Sequence, residues 1–86
     1  MPYSVTVAPR AAKGMRTLPL EARARIVQAI DALADNPRPP GCKAMHGALA
    51  GAYRIRVGTY RVVYDVNDAE LRVLVVRVAN RREVYR

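Results

Sequence analysis

Arg54, Arg56 and Arg61 fall in one short stretch of the chain, and Arg81, Arg82 and Tyr85 follow near its C-terminus. A guanidinium matches the planar geometry of a phosphate with paired donors and stays charged at any relevant pH. Clustered arginines can therefore clamp a phosphodiester and stabilise the charge of a pentacoordinate transition state, but they cannot serve as a general base. A tyrosine among them has its pKa drawn below the usual value of about 10 by the nearby positive charge. It can then take a proton from a ribose 2′-OH or give one to a leaving 5′-oxygen. Its ring can equally stack on a base, or simply pack on a sheet edge. Residue type leaves all three roles open for Tyr85.

Other chemistries find little to work with. One His and one Cys cannot make a zinc site of ordinary spacing, and neither a P-loop nor a dinucleotide fingerprint occurs. A nucleophile pair of Cys42 and His46 has no support in the surrounding sequence; a packed cysteine and a solvated histidine explain both residues. The reading calls for no cofactor and no metal.

The elements that must position these residues are legible as patterns. Tyr53, Ile55 and Val57 alternate with Arg54 and Arg56, and after Gly58-Thr59 the alternation resumes with Tyr60, Val62, Tyr64 and Val66. Period-2 patterning across a two-residue loop that opens with glycine predicts a hairpin with a type II′ turn. That turn pairs Val57 with Tyr60, Arg56 with Arg61 and Ile55 with Val62. Like charges directly opposite cost roughly 0.2–1 kcal/mol, so the Arg56–Arg61 pair, with Arg54 diagonal to it, points to an anion.

Tyr3 to Ala8 predicts a first strand, ended by Pro9. Helical spacing follows from Arg10 to Leu18, weakened by Gly14, and again from Leu20 to Ala34. The stripe of the second helix is Ile26, Val27, Ile30, Leu33 and Ala34, and Asn36-Pro37 ends it. The segment 37–41 is a stiff proline-rich loop, and Cys42 to Gly51 reads as an irregular crossover. Leu71 to Val78 is nearly continuous in hydrophobicity, which predicts a strand covered on both faces. Pairing Val66 with Leu71 turns Val73 and Val75 toward the helices and Leu74 and Val76 toward the arginines, beside Val63.

The order predicts one α+β domain over residues 1–86, β-α-α-β-β-β, with two N-terminal helices on one face of a mainly antiparallel sheet. The chain has 86 residues, a net charge of +8 and a pI near 10.6, without Trp or Phe. So large a positive excess on a small domain implies a polyanionic or acidic partner. No apolar run reaches the roughly 18 residues of a membrane span. No signal-peptide pattern opens the chain, and the lone Cys42 suits a reducing cytoplasm.

Taken together, the strand, the helical hairpin, the segment YRIRVGTYRVVYDV (Tyr53 to Val66), the hydrophobic strand and the tail NRREVYR (Asn80 to Arg86) resemble the RelE toxins of bacterial type II toxin–antitoxin modules. The resemblance runs from Tyr3 to Tyr85. It implies a metal-independent endoribonuclease that enters the ribosomal A site and cuts mRNA by attack of the RNA's own 2′-OH. An acidic antitoxin encoded beside it would hold it inactive, and operator DNA would be met only through the toxin–antitoxin complex. The family's site positions fall on Arg61, Arg81 and Tyr85 as catalytic residues and on Arg54 and Arg56 as phosphate-binding ones, with Arg82 a competing match for Arg81. The best-studied type has lysines where Arg54 and Arg56 stand, and arginines stabilise charge without shuttling protons. Two alternatives share the fold: a ParE-like toxin that poisons gyrase, and an inactive homologue that binds only antitoxin and operator DNA. The short helical hairpin, Arg61 and Tyr85 favour the ribonuclease.

Overall fold

Pro9 both stops a strand and starts a helix. Its fixed φ suits the first helical position, where a missing N–H costs nothing. In the computed structural model, which describes residues 2–47 and 50–80, β1 (Ser4–Val7) accordingly gives way to α1 (Pro9–Arg16). Then come α2 (Leu20–Ala32), β2 (Lys43–Ala44), β3 (Ala52–Val57), β4 (Tyr60–Asn67) and β5 (Arg72–Asn80). The strands form one sheet in the order β1-β5-β4-β3-β2, antiparallel except where β1 runs parallel to β5. The two helices lie on one face, α1 against β5 and α2 reaching β3. This is the α+β architecture expected from the sequence, with one addition: the crossover read as irregular contributes the two-residue strand β2.

The core between the layers is built from Ala11, Ile26, Ile30 and Leu33 of the helical segment and Ile55, Val62, Tyr64, Val73, Val75 and Val78 of the sheet. Val27, expected in the apolar stripe, is exposed instead, because the helix meets the sheet along Ile26, Ile30 and Leu33. The helix also stops earlier than its pattern, at Ala32. Arg23 closes the α1–α2 corner: its guanidinium donates to the carbonyls of Met15, Arg16 and Leu18, where α1 ends. Gly14 is required by packing. A Cβ there would meet the Val78 carbonyl oxygen at 2.5 Å, so its absence lets α1 settle onto β5.

The β4–β5 register departs from expectation in an instructive way. Val66 pairs with Val73 rather than Leu71, a shift of two residues that keeps Val73 and Val75 in the core. An irregularity between Val63 and Tyr64 then leaves Val76 as an extra residue, since Tyr64 pairs with Val75 and Val63 with Arg77. Such a bulge inverts the side-chain phase of the strand beyond it. Without it, Arg77 would enter the core opposite Val62; with it, Val78 takes that place and Arg77 joins Val63 on the open face. Nor is β5 covered on both faces as its hydrophobicity suggested. Leu74 lies opposite Asp65, not Val63, and remains 39% exposed.

A polar strap ties the far end of the sheet. Arg38, in the proline-rich loop, grips Asp68 with two parallel bonds of 3.1 and 2.9 Å, donates to the Tyr53 hydroxyl at 3.2 Å and lies over the Tyr53 ring. The Tyr3 hydroxyl donates to the same carboxylate at 2.6 Å. Beneath this, Tyr53 stacks on Tyr64, whose buried hydroxyl donates to the Pro37 carbonyl. Arg38 first, and then Tyr3, hold the Asp68 carboxyl down at about 2.

Candidate functional site

The β3–β4 hairpin forms as its sequence requires. Gly58 takes a positive φ of 61° at the first turn position, while Thr59 does not share it, the pattern of a type II′ turn. Val57 pairs with Tyr60, Arg56 with Arg61, and Ile55 with Val62. The two arginines therefore stand directly opposite one another on the face away from the helices.

Register extends that pair into two adjoining rows. One runs Arg56–Arg61–Ala79 across β3, β4 and β5; the next runs Lys43–Arg54–Val63–Arg77 from β2 to β5. Five cations thus share one face, with Asp65, on the row beyond, as its acid among the described residues. Lys43 and Arg77 had not been singled out from the sequence. Lys43 sat in an unpatterned crossover, whereas Arg77 carried a signal: in the phase of Val73 and Val75 it was a charge aimed into the core, which only a bulge resolves.

An apolar floor lies under these cations. Ala52, Val63 and Ala79 are buried together, with Met45 and Val76 packed against them. Of the expected floor, Val63 and Val76 take part; Leu74 does not.

Arg61 is the residue that stands apart. It is the buried charged side chain among the described residues, only 2% exposed. Its Nη1 makes one long bond of 3.5 Å to the Tyr60 carbonyl, and its buried Nε has no hydrogen-bond partner among the described residues. Most buried donors are satisfied, so a guanidinium held in this way, opposite a second arginine, is an arrangement that an anion would relieve. Arg54 is half-buried and Arg56 is exposed. Arg81, Arg82 and Tyr85 lie outside the described residues. The described chain ends at Asn80, which pairs with Tyr60, one position beyond the Arg61–Ala79 pair.

The described residues gather no cluster of His, Cys, Asp or Glu able to hold a metal ion. Cys42 and His46, weighed above as a nucleophile pair, are respectively half-buried against the core and exposed. Burial, followed by the adjacent Cys42, pushes the Tyr64 hydroxyl well above the usual tyrosine range, so that buried phenol stays protonated.

A basic face on this fold has known counterparts. The family model for the ParE toxin of type II toxin–antitoxin systems matches residues 5–85. The chain belongs to the RelE/ParE toxin family. It is 34% identical to toxin RelG of Mycobacterium tuberculosis across the whole of this chain and 99% of that protein. Toxin RelE of the same organism is 35% identical, over 99% of this chain and 88% of its own length. Among solved structures, the toxin–antitoxin complex RelBE2 from M. tuberculosis superposes with a TM-score of 0.83 at 30% identity, covering 94% of this chain and 100% of the matched one. The type II toxin assignment and the RelE-like fold expected from the sequence are both found.

Proposed function

We propose that this toxin is a metal-independent endoribonuclease that cuts mRNA in the ribosomal A site and thereby stops translation. The observation that carries the reading is Arg61, a buried and under-satisfied guanidinium opposite Arg56 on a basic face. Arg61 and Arg81 stabilise the charge that develops on the scissile phosphate, and Arg54, Arg56 and Arg82 hold its neighbours. Tyr85 moves the proton between the 2′-OH and the leaving 5′-oxygen. It lies five positions beyond Asn80, a tether of at most ~18 Å, which suffices to reach the Arg61 row.

The short helices, Pro9–Arg16 and Leu20–Ala32, support a ribonuclease over a gyrase poison. The partner in the cell is an acidic, RelB-like antitoxin that covers the basic face, as antitoxins accompany the toxins in the similar solved complexes. Operator DNA is reached through that complex, in the cytoplasm.

Expression without antitoxin is expected to slow growth and to leave mRNA cut within codons at ribosomes. Trapped gyrase–DNA breaks with intact mRNA would establish the ParE-like activity instead. Loss of neither would mark a homologue that only binds antitoxin and DNA. Tyr85→Phe is expected to abolish cleavage along with Tyr85→Ala. Cleavage that survives in Tyr85→Phe and fails in Tyr85→Ala would assign the ring to stacking.

A further inference from the structure

The parallel partner of β5 ends early. β1 pairs only as far as Val75, its last bond running from the Ala8 amide to the Val75 carbonyl, after which the chain turns into α1. Past that point the edge of β5 has no strand beside it among the described residues, and a shallow groove of about 280 Å³ opens between α1 and β5. Arg10, Lys13, Gly14 and Thr17 line it from the helix, at the i, i+3, i+4, i+7 spacing of one helical face. Arg77, Val78 and Ala79 line it from the strand. No carboxylate lines the groove among the described residues, and α1 itself has no acid to set against Arg10, Lys13 and Arg16.

Arg77 belongs to two places at once. The bulge at Val76 puts it on the open face beside Val63, in the row with Lys43 and Arg54, and it also forms one wall of the groove. The basic surface is thus continuous. It crosses the sheet from Lys43 to Arg77, three strand spacings or ~14 Å, and then turns round the edge of β5 onto the helical layer at Lys13 and Arg10. A surface for one phosphate alone would not need this second arm.

We infer that the α1–β5 groove is a second phosphate-binding site, which carries the backbone of a bound RNA past the cleavage site and round the edge of the sheet. The inference rests on the ribonuclease reading and extends it, assigning to Arg10 and Lys13 the part of the RNA that is held but not cut. The uncharged Gly14 and Thr17 leave room between them: the Thr17 hydroxyl is turned back to the Gly14 carbonyl at 2.9 Å, so Arg10 and Lys13 are the cations that α1 brings to the groove.

The test is binding of fluorescent oligouridylates of roughly four and roughly twenty nucleotides to the wild-type chain and to the Arg10→Gln/Lys13→Gln double variant, across a salt series. Both side chains are exposed, and a circular dichroism melt checks that the variant folds. Losing two phosphate contacts lowers the slope of log K against log salt by ~1.4 for a single strand, which is about 25-fold in affinity at 0.1 M salt relative to 1 M. That loss is expected for the long RNA, with little change for the short one and recovery in Arg10→Lys/Lys13→Arg. Equal affinity of variant and wild type for the long RNA would overturn the inference. So would a variant that keeps RNA binding but loses polyglutamate, because the groove would then serve an acidic protein. Wild type that binds no RNA and leaves mRNA intact at ribosomes brings down the ribonuclease reading too. Wild type that cuts mRNA, with a double variant indistinguishable from it in RNA binding, brings down the inference alone.

Discussion

Arg61→Met separates what Arg61 does for the fold from what it does for chemistry. Methionine keeps the length of the arginine stem and fills the same buried volume with an adaptable apolar chain. The substitution removes a buried Nε donor without a partner among the described residues, which costs about 1–3 kcal/mol where it stands. It also removes like-charge repulsion against Arg56 of roughly 0.2–1 kcal/mol. What is lost is one bond to the Tyr60 carbonyl at 3.5 Å, at the long limit for such a bond and worth about 0.5 kcal/mol. The balance favours the variant by roughly 0.7–3.5 kcal/mol, so the free chain should melt higher by at least ~3 °C at this size. Urea titration should show the midpoint move with the slope unchanged, and mRNA cleavage at ribosomes should disappear. A melting temperature that falls by several degrees would refute the reasoning, since it would mean that the guanidinium is a structural member of the face.

Two further perturbations bear on the frame. Gly14→Ala gains up to ~1 kcal/mol of helix propensity, yet its Cβ would sit 2.5 Å from a backbone oxygen of β5, so thermal melts should show a net loss of stability. An equal or higher melting point would mean that α1 can lift off β5 at no cost. For Asp68, the native carboxyl titrates at about 2, below its ordinary value of 3.8. Its contribution to stability is therefore complete above about pH 4 and fades as pH falls toward 2, so wild type and Asp68→Asn should converge in acid. A gap between them that persists below pH 2 would show that the strap does not depend on that charge.

Most of the frame was legible because local rules and burial agree there. The hairpin register followed from Gly58-Thr59 alone, since a two-residue turn leaves the strands no freedom to slide. β5 was harder for the same physical reason in reverse. Its turn is longer, and Leu74 and Val76 are as apolar as the core residues, so pattern alone did not mark which phase is buried or where it changes. Arg77 was the clue. Lys43 left no comparable trace, because a two-residue strand held by Arg54 and Tyr53 depends on its neighbours and not on its own pattern. The burial of Arg61 was equally hidden, since an arginine in an alternating strand reads as solvent-facing.

The distribution of ion pairs sets the Arg56–Arg61 pair apart from the acids that stabilise the sheet. Among the described residues the two salt bridges, Arg38–Asp68 and Arg72–Glu70, both lie at the β4–β5 turn, at the far end of the sheet from Arg56 and Arg61. The strap there joins β1, the proline-rich loop, β3 and the turn through Tyr3, Arg38, Tyr53 and Asp68. It is exposed, and each pair alone contributes little, but it fixes loops that a small core would otherwise leave loose. Rigidity is thereby supplied away from the Arg56–Arg61 pair. Acids placed beside Arg61 would have stabilised the free chain more directly, and in doing so would have occupied the guanidinium that the proposed phosphate contact requires. The strain at Arg61 and the strap around Asp68 are thus complementary, and stabilising Arg61 by substitution should remove the reason for the face to bind an anion at all.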